Sequence, residues 1–574
     1  AAGGYRRQLL DDHRQVVEAM RRAGVDVEVH HAFTTLFNGL AVSFSAEHLP
    51  RVAALPGVKR VWPDLKVPRP SPVQSGASPQ MDYTRDMIGA GQAHQHGYKG
   101  QGVFVAVMDT GIDYNHPDLG GGFGPGYRVI TGYDFVGDTF CPDDEDTCGV
   151  GKVDDVPKPD DDPMDQHGHG THVAGIIGAS AASPAGVTGV APEVTFGAYK
   201  VFGPAGSTFS SIMIEAMERV LADGADVLNM SIGAAYAWPD YPTAVAADNL
   251  VDAGVVVVAS IGNSGATGLF STGAPGNAAK VIGVASVDSL GPFEVNAGRV
   301  DQTGDTFGYV AMDFSPAAAG VSGVLVALPA GAQEGCAVTD FPAGVAGKIA
   351  LIRRGTCTFQ EKSLNAKAAG AMAAIIYNNA PGVVLGTLGS EGDYIPTVGI
   401  SQAAGDLLLG LLDQHGTISV TLTEERSFEE NPNAGFTSPF SSWGLTPDLA
   451  LKPDLTAPGG NVRSTYPLDR GGYAYLSGTS MSSPHVAGAA ALLLGADPTL
   501  TPDQVRRLLM NTSAPVAFGA NLAFLEAVHR QGAGLPNVWA GLNTPVTVSP
   551  AKVSLGELQG DDAVRQVTLT LSNA

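Results

Sequence analysis

Basic residues are scarce in this sequence. It carries 33 Lys and Arg against 57 Asp and Glu in 574 residues, a formal net charge of -24 at pH 7. Nucleic-acid binding needs clustered Lys and Arg to displace counterions from phosphate, so this balance argues against a nucleic-acid partner. A large negative charge favours solubility outside the cell instead.

Long apolar runs are missing as well. No run reaches the roughly 18 residues that a membrane-spanning helix needs, so we expect no membrane span. The first residues lack the basic, apolar and small-residue order of a signal peptide, and we expect a start that is already trimmed.

Cysteines number only four, and they fall into two local pairs, Cys141 with Cys148 and Cys336 with Cys357. This spacing suits loop disulfides better than a zinc site. Four buried free thiols are the alternative. Disulfides would place the protein in an oxidising compartment, and we expect it to be secreted or at the cell surface.

Length and apolar patterning predict several domains around an α/β core. A chain of 574 residues suggests three or four compact units. Apolar strands alternate with helical patterns between Val103 and Val287, which is typical of a parallel sheet flanked by helices. We therefore predict an α/β catalytic domain in two parts, residues 81–288 and 438–542.

The remaining segments have different patterns. Residues 1–70 read as a small α+β unit, with a strand expected at Val58–Val61, and residues 71–80 form a linker rich in Pro and Ser. Residues 289–437 interrupt the alternation as an insert. Residues 543–574 suggest the first strands of a truncated β-sandwich, and we expect the natural protein to continue beyond them.

Two polar segments follow elements of the predicted sheet. Asp109 comes directly after the strand Val103 to Met108, at the edge where open α/β sheets build their sites. The run from His167 to Gly175 reads His-Gly-His-Gly-Thr-His-Val-Ala-Gly. A zinc site of the H-x-H-x-D-H kind would need Asp where Thr171 stands, and the metalloprotease pattern H-E-x-x-H is absent.

A third segment places a serine at the expected start of a helix. It runs from Gly478 to Gly488 as Gly-Thr-Ser-Met-Ser-Ser-Pro-His-Val-Ala-Gly, with Ser480 third. A serine there is most often a helix cap. Asn263 follows another predicted strand, in Gly262-Asn263-Ser264-Gly265, where a plain turn residue is the alternative.

Together these segments resemble the subtilisin-like serine proteases, the subtilases. The resemblance implies a triad of Asp109, His169 and Ser480, in an order that differs from those of chymotrypsin-like and α/β-hydrolase enzymes. It also implies that Asn263 and the backbone N–H of Ser480 form the oxyanion hole. His167 and His172 would then only support the site.

The resemblance extends to the flanking units and the substrate site. Residues 1–70 resemble the N-terminally truncated inhibitory propeptide of subtilases, the insert resembles a protease-associated (PA) domain, and residues 543–574 resemble the start of a fibronectin III-like sandwich. The family's substrate-binding strand would pair with an extended peptide. The implied substrate-binding residues are Ser231, Ile232, Gly233, Ser260 and Gly262.

An acidic segment lies between Asp109 and His169, with nine Asp side chains from Asp143 to Asp165. Carboxylates suit calcium, but a solvated charged face is the alternative, so the metal site stays open. We expect no cofactor to be required for catalysis.

The sequence therefore predicts a secreted serine endopeptidase that acts on proteins and peptides and is inhibited by its own propeptide. Its oligomeric state is not predicted. Two other interpretations compete. A serine esterase of the α/β-hydrolase type would need Gly at position 482, where Ser stands, and a catalytically inactive binding protein would not need the complete set of active-site residues.

Overall fold

The structure is a computed structural model that describes residues 2–70, 73–74, 81–182, 186–312, 314–384, 386, 388, 392–431, 433–519, 521–555, 564 and 566–573. It contains two compact units. The first lies within Ala1–Gln74, Gln80–Ser289 and Gly435–Ala574, and the second is built on Leu290–Ala434.

The N-terminal unit, residues 1–70, contains a long helix and a two-stranded antiparallel sheet. Its buried core comprises Met20, Val25, Val27 and Val52. The stretch Val58–Val61 does not form the predicted strand; Val61 packs against this core, and Arg60 pairs with Asp240 of the catalytic domain. The elements up to residue 74 are α1 (Ala2–Arg22), β1 (Glu28–Phe33), β2 (Gly39–Ser43), α2 (Leu49–Ala53), β3 (Lys66–Val67) and β4 (Val73–Gln74).

The first part of the catalytic domain alternates strands with helices. It contains α3 (Met81–Met87), α4 (Ala90–Gln95), β5 (Phe104–Asp109), β6 (Val129–Asp134), α5 (Glu145–Cys148), α6 (His169–Gly178), β7 (Thr195–Lys200), β8 (Thr208–Phe209), α7 (Ser210–Asp223), β9 (Val227–Met230), β10 (Ala234–Ala235), α8 (Pro242–Asp252), β11 (Val256–Ser260), β12 (Gly273–Ala274) and β13 (Ile282–Asp288).

The insert forms a closed seven-stranded barrel with two helices. Its strands follow the order β14-β15-β19-β18-β17-β16-β20 around the barrel. Its elements are β14 (Phe293–Val300), β15 (Thr306–Ala311), β16 (Ser322–Ala327), β17 (Ile349–Arg353), α9 (Phe359–Ala368), β18 (Ala373–Tyr377), β19 (Thr397–Ile400), α10 (Gln402–His415) and β20 (Ser419–Glu429).

The chain leaves for the insert and returns from it at one place. Asp288 N–H donates to the carbonyl of Phe436, and Gly435 N–H donates to the carbonyl of Asp288, both at 3.0 Å. These two bonds bring Gly435 and Phe436 into the first unit. The compact insert is therefore slightly shorter than the predicted 289–437.

The second part of the catalytic domain completes the sheet, whose seven parallel strands have the order β21-β13-β11-β9-β5-β7-β6. This confirms the predicted parallel α/β sheet. The elements are β21 (Leu455–Gly460), β22 (Val462–Thr465), β23 (Tyr473–Ser477), α11 (Thr479–Ala496), α12 (Pro502–Asn511), α13 (Val528–Gln531) and α14 (Val538–Asn543).

Both faces of this sheet are buried, as the near-continuous apolar strands require. Alternate residues of β5 point to opposite faces. Val105 and Val107 pack in one core with residues of α6 and α11, whereas Ala106 and Met108 pack in the other with residues of α7 and α8. The carboxyl end of β5 is therefore held rigidly between helices.

The C-terminal residues contain two further strands, β24 (Val546–Ser549) and β25 (Thr570–Asn573), which pair antiparallel. The β-sandwich stays a prediction. Most of the predicted linker 71–80 lies outside the described residues, although Val73–Gln74 form β4. Among the described residues, every helix is too short or too polar to cross a membrane.

A buried cluster of charges joins the end of the catalytic domain to the segment that follows it. Asp454 is fully buried and accepts hydrogen bonds from Lys452 Nζ at 2.5 Å, Lys552 Nζ at 2.6 Å and Gly283 N–H at 2.9 Å. Burial alone would raise the pKa of Asp454, but the two ammonium groups hold that pKa well below its usual range.

We predict that Asp454→Asn lowers stability near neutral pH by about 3–5 kcal/mol, since it leaves the Lys452 ammonium buried without its counter-ion. A depressed carboxylate pKa stabilises the fold above the unfolded-state value of about 3.9, and this contribution is lost as pH falls below it. Thermal unfolding between pH 3 and 7, in a Ser480→Ala background that prevents self-digestion, should therefore show a shallower acid dependence in the variant.

The control is Asp503→Asn, which removes a carboxylate from an exposed ion pair. An unchanged melting temperature of Asp454→Asn at pH 7 would contradict this account.

Candidate active site

A buried hydrogen bond joins Asp109 to His169. Asp109 ends β5, His169 begins α6, and both side chains are 0% exposed. His169 Nδ1–H donates to Asp109 Oδ1 at 2.7 Å, which fixes the tautomer and leaves Nε2 as the acceptor. The close approach depends on glycine, because a Cβ at position 170 would lie 2.1 Å from the carbonyl oxygen of Gly111.

Asp165 holds the start of α6 against the end of β5. Its buried carboxylate accepts the hydroxyls of Thr110 at 2.9 Å and Thr171 at 2.6 Å. It also accepts the backbone N–H groups of His167 and Gly168 at 2.8 Å and of Thr171 at 3.0 Å. Because Thr110 follows Asp109 and these N–H groups flank His169, Asp165 fixes the two site residues relative to each other.

Ser480 lies in the first turn of α11 and is 5% exposed. Four residues later, Pro484 has no N–H, so the carbonyl of Ser480 loses its helical partner. That carbonyl accepts the hydroxyl of Ser231 at 2.7 Å instead. The proline thus allows the segment after β9, predicted to bind substrate, to bond to the helix at the serine itself.

The hydroxyl of Ser480 donates to the carbonyl of Ser231 at 3.0 Å. Within the described part of the chain, Nε2 of His169 has no hydrogen-bond partner. The serine and histidine therefore do not bond in this structure. Catalytic hydrogen bonds often form only when substrate is bound, and rotation of the serine side chain would be required.

Two N–H donors converge beside Ser480. Asn263 Oδ1 accepts the backbone N–H and the hydroxyl of Thr479 at 2.9 and 2.8 Å, so the amide nitrogen Nδ2 is the free end. The point that a Cβ would occupy on Gly478 lies 3.2 Å from Nδ2 and 3.7 Å from the backbone nitrogen of Ser480. Glycine at 478 therefore keeps a side chain from crowding these two nitrogen atoms.

The five predicted substrate-binding residues follow the ends of β9 and β11. Ser231 bonds to α11 as described, and Ile232 is buried in the apolar core. A Cβ on Gly233 would lie 2.8 Å from the carbonyl oxygen of Ala274. Ser260 ends β11, and Gly262 N–H donates to Thr479 Oγ1 at 3.3 Å. Ser231 and Gly262 thus bond to the start of α11, and Gly233 lies against Ala274 of β12.

The two other histidines of the motif do not form a metal centre. His172 is buried, and its ring lies 3.1 Å from the carbonyls of Val462 and Ala474. Burial lowers the pKa of His172 and of His167 to about 3, so both rings are neutral near pH 7. Among the described residues no group of His, Cys, Asp or Glu could hold a metal ion.

In the acidic segment, Asp143 to Asp165, several carboxylates bond to separate partners. Asp144 caps α5, Asp154 accepts the hydroxyl of Thr139, and Asp162 accepts the hydroxyl of Tyr114. The structure joins Cys141 to Cys148 at the start of this segment, and Cys336 to Cys357 in the insert. A calcium ion here stays a prediction.

The end of the N-terminal unit pairs with strands of the catalytic domain. β3 pairs antiparallel with β8, and Asp64 caps the start of α7 by accepting Ser211 N–H at 2.9 Å. Val67 is 1% exposed and packs in the same core as Ile232. Further on, β4 pairs antiparallel with β23, which ends three residues before Ser480. The chain thus pairs with the catalytic domain both before and after residues 71–72.

Comparison with known proteins identifies the family. Residues 100–534 match the subtilase family, and residues 7–69 match the peptidase inhibitor I9 family. The chain belongs to the subtilase family. The I9 match confirms the propeptide-type N-terminal unit of this subtilase.

Curated relatives agree with this assignment. The subtilase is 32% identical to the minor extracellular protease Vpr of Bacillus subtilis (strain 168), over 95% of this chain and 65% of that protein. It is 30% identical to the PI-type proteinase of Lactococcus lactis subsp. cremoris, over 93% of this chain and 30% of that protein. The chain thus spans less than two thirds of these relatives.

Among solved structures, the subtilisin-like protease Apa1 from the Antarctic psychrotroph Pseudoalteromonas sp. AS-11 is similar. It is 22% identical, with a TM-score of 0.47, and the match covers 80% of this chain and 96% of that one.

Asp165 is the residue of this site that sequence reasoning missed, because we assigned it to the acidic segment. One signal was available. It stands four residues before His169, at the expected start of a helix, where carboxylates accept backbone N–H groups.

We predict that Asp165→Ala lowers kcat by about 10²-fold with little change in KM, because small displacements of a catalytic group have effects of this size. It should also lower the melting temperature, since three buried N–H groups lose their acceptor. Steady-state kinetics on a chromogenic peptide and thermal unfolding provide the two readouts. Asp161→Ala, at an exposed position of the same segment, should leave both unchanged. A folded Asp165→Ala variant with wild-type kcat would show that Asp165 does not position His169.

Proposed function

We propose that this subtilase is a serine endopeptidase that cleaves proteins and peptides through Asp109, His169 and Ser480. Ser480 attacks the scissile carbonyl, His169 accepts its proton at Nε2 and returns it to the leaving amine, and Asp109 stabilises the histidine cation. The resulting acyl-enzyme is hydrolysed by water through the same groups.

The observation that carries this proposal is the pair of N–H donors beside Ser480. A tetrahedral intermediate places negative charge on the former carbonyl oxygen, and preorganised donors stabilise that charge. Asn263 Nδ2 and the Ser480 backbone nitrogen both lie within 4 Å of the place where a side chain on Gly478 would begin, so the missing side chain leaves both donors uncrowded. A serine that served only as a helix cap would not need this arrangement.

The rival interpretations explain less. An esterase of the α/β-hydrolase type uses a Gly-x-Ser-x-Gly turn, whereas Ser482 stands at the last glycine position. An inactive binding protein has no need for a buried Asp–His pair, whose desolvation lowers stability.

We further propose that the N-terminal unit inhibits the enzyme until its tail is cut. An extended substrate would bind by strand addition, as β3 does along β8. β3 pairs with β8, and β4 pairs with β23, which ends three residues before Ser480. We therefore assign the peptide bond that is cut during maturation to the stretch between Val67 and Val73. After cleavage, the N-terminal unit would stay bound to the catalytic domain through Asp64 and Val67.

We propose that the enzyme acts outside the cell. The two disulfides support an oxidising compartment, and the Bacillus relative is named as extracellular. Catalysis needs no cofactor in this mechanism, since all the groups it uses are side chains and backbone N–H groups.

We propose that the insert is a PA-type domain that selects protein substrates. Its closed barrel with α9 and α10 and its disulfide Cys336–Cys357 support an independent module. All the proposed catalytic residues lie outside it, so a role in bond cleavage is not required of it.

We predict that Ser480→Ala lowers peptide hydrolysis by on the order of 10⁶-fold, because no other group replaces the nucleophile. The variant should also keep its N-terminal unit attached, whereas the wild type should acquire a new N-terminus between residues 68 and 73. Intact mass and N-terminal sequencing measure this directly.

The control is Ser482→Ala, which removes a hydroxyl from the same helix. The Ser482 hydroxyl is buried and has no hydrogen-bond partner among the described residues, so its loss should preserve both activity and processing. A Ser480→Ala protein that matures normally, free of any added protease, would refute the assignment.

A further inference from the structure

The loop closed by Cys141 and Cys148 contacts the tail of the N-terminal unit. Lys66 in β3 lies with its Nζ 3.3 Å from Asp143 Oδ1 and also donates to the carbonyl of Pro142. Lys66 is paired with Phe209 of β8, the strand along which the tail runs. A cation on the extended chain thus meets an acidic side chain beside β8.

The position of Asp143 does not depend on Lys66. Asp143 Oδ2 accepts the backbone N–H of Ser207 at 2.8 Å, and the side chain is only 20% exposed. The loop lies tightly against Gly206, the residue before Ser207, since a Cβ on Gly206 would lie 2.6 Å from Cys141 Sγ and 3.0 Å from Asp143 Oδ2. Removal of the tail would therefore leave the carboxylate in place.

Strand geometry assigns the two tail residues to different environments. Successive side chains of a strand point to opposite sides. Val67 enters the apolar core, whereas the Lys66 side chain is 47% exposed and reaches the Cys141–Cys148 loop. A peptide bound in the same way would place one side chain in the apolar core and the preceding one beside Asp143.

We propose that Asp143 is a specificity-determining residue, which together with the Pro142 carbonyl favours Lys or Arg at the substrate position that Lys66 occupies. The inference rests on the proposed function, because it takes the tail as the guide to substrate binding.

The test compares peptides cleaved by the enzyme that the full chain releases on maturation. Mass spectrometry of a peptide library locates the position that favours basic residues, and matched peptides with Lys, Ala or Glu at this position then give kcat/KM. We expect Lys over Glu by about twofold to fivefold, the range of a partly exposed ion pair, and a smaller preference in 0.5 M NaCl.

Three variants separate Asp143 from its surroundings. Asp143→Asn keeps an acceptor for Ser207 N–H, so it should fold, but it should cleave the Lys and Glu peptides at nearly equal rates. Asp143→Glu retains the charge and should retain the preference. Asp146→Asn, an exposed carboxylate of the same loop, should behave as the wild type.

Wild-type preference retained in Asp143→Asn would overturn the inference. So would an equal loss in Asp146→Asn, which would assign the effect to the loop's total charge. Cleavage of all peptides without any basic preference in the wild type would overturn it too, while leaving the proposed function intact. A wild-type protein that cleaves no peptide would instead refute the proposed function.

Discussion

The buried hydrogen bond between Asp109 and His169 is the constraint around which the site is built. Two polar side chains without solvent access need each other as partners, so the start of α6 must lie against the end of β5. Glycine at 170 permits this approach, and the Asp165 carboxylate collects the N–H groups and hydroxyls around it. The parallel sheet, packed on both faces, supplies a rigid base.

The second half of the site depends on how α11 begins. Pro484 frees the Ser480 carbonyl, Ser231 binds it, and Asn263 binds Thr479 one residue before the serine. In our proposal, the first turn of α11 thereby couples the serine, the oxyanion donors and the substrate-binding segment. Because the tail of the N-terminal unit pairs with β8 and β23, inhibition, processing and substrate selection all use the same surface in our proposal.

Local motifs allowed much of this arrangement to be predicted from sequence. The alternating strands and both cysteine pairs lie in short segments, and the resemblance of short motifs to those of subtilases named Asp109, His169, Ser480 and Asn263, which no single segment assigned alone. Contacts between residues far apart in sequence could not be predicted from such local patterns. The stretch Val58–Val61, where a strand was expected, packs Val61 on the N-terminal core and pairs Arg60 with Asp240 instead, and the pairing of Val73–Gln74 with β23 joins residues about 400 positions apart in sequence.

The most direct test of the central claim is covalent labelling by a fluorophosphonate, a reagent that phosphonylates activated serines, followed by peptide mapping. The account predicts one adduct on the matured enzyme, on Ser480, and its loss in His169→Ala, where the activating base is missing. An adduct on a different residue, or unlabelled matured protein beside a labelled control protease, would contradict it.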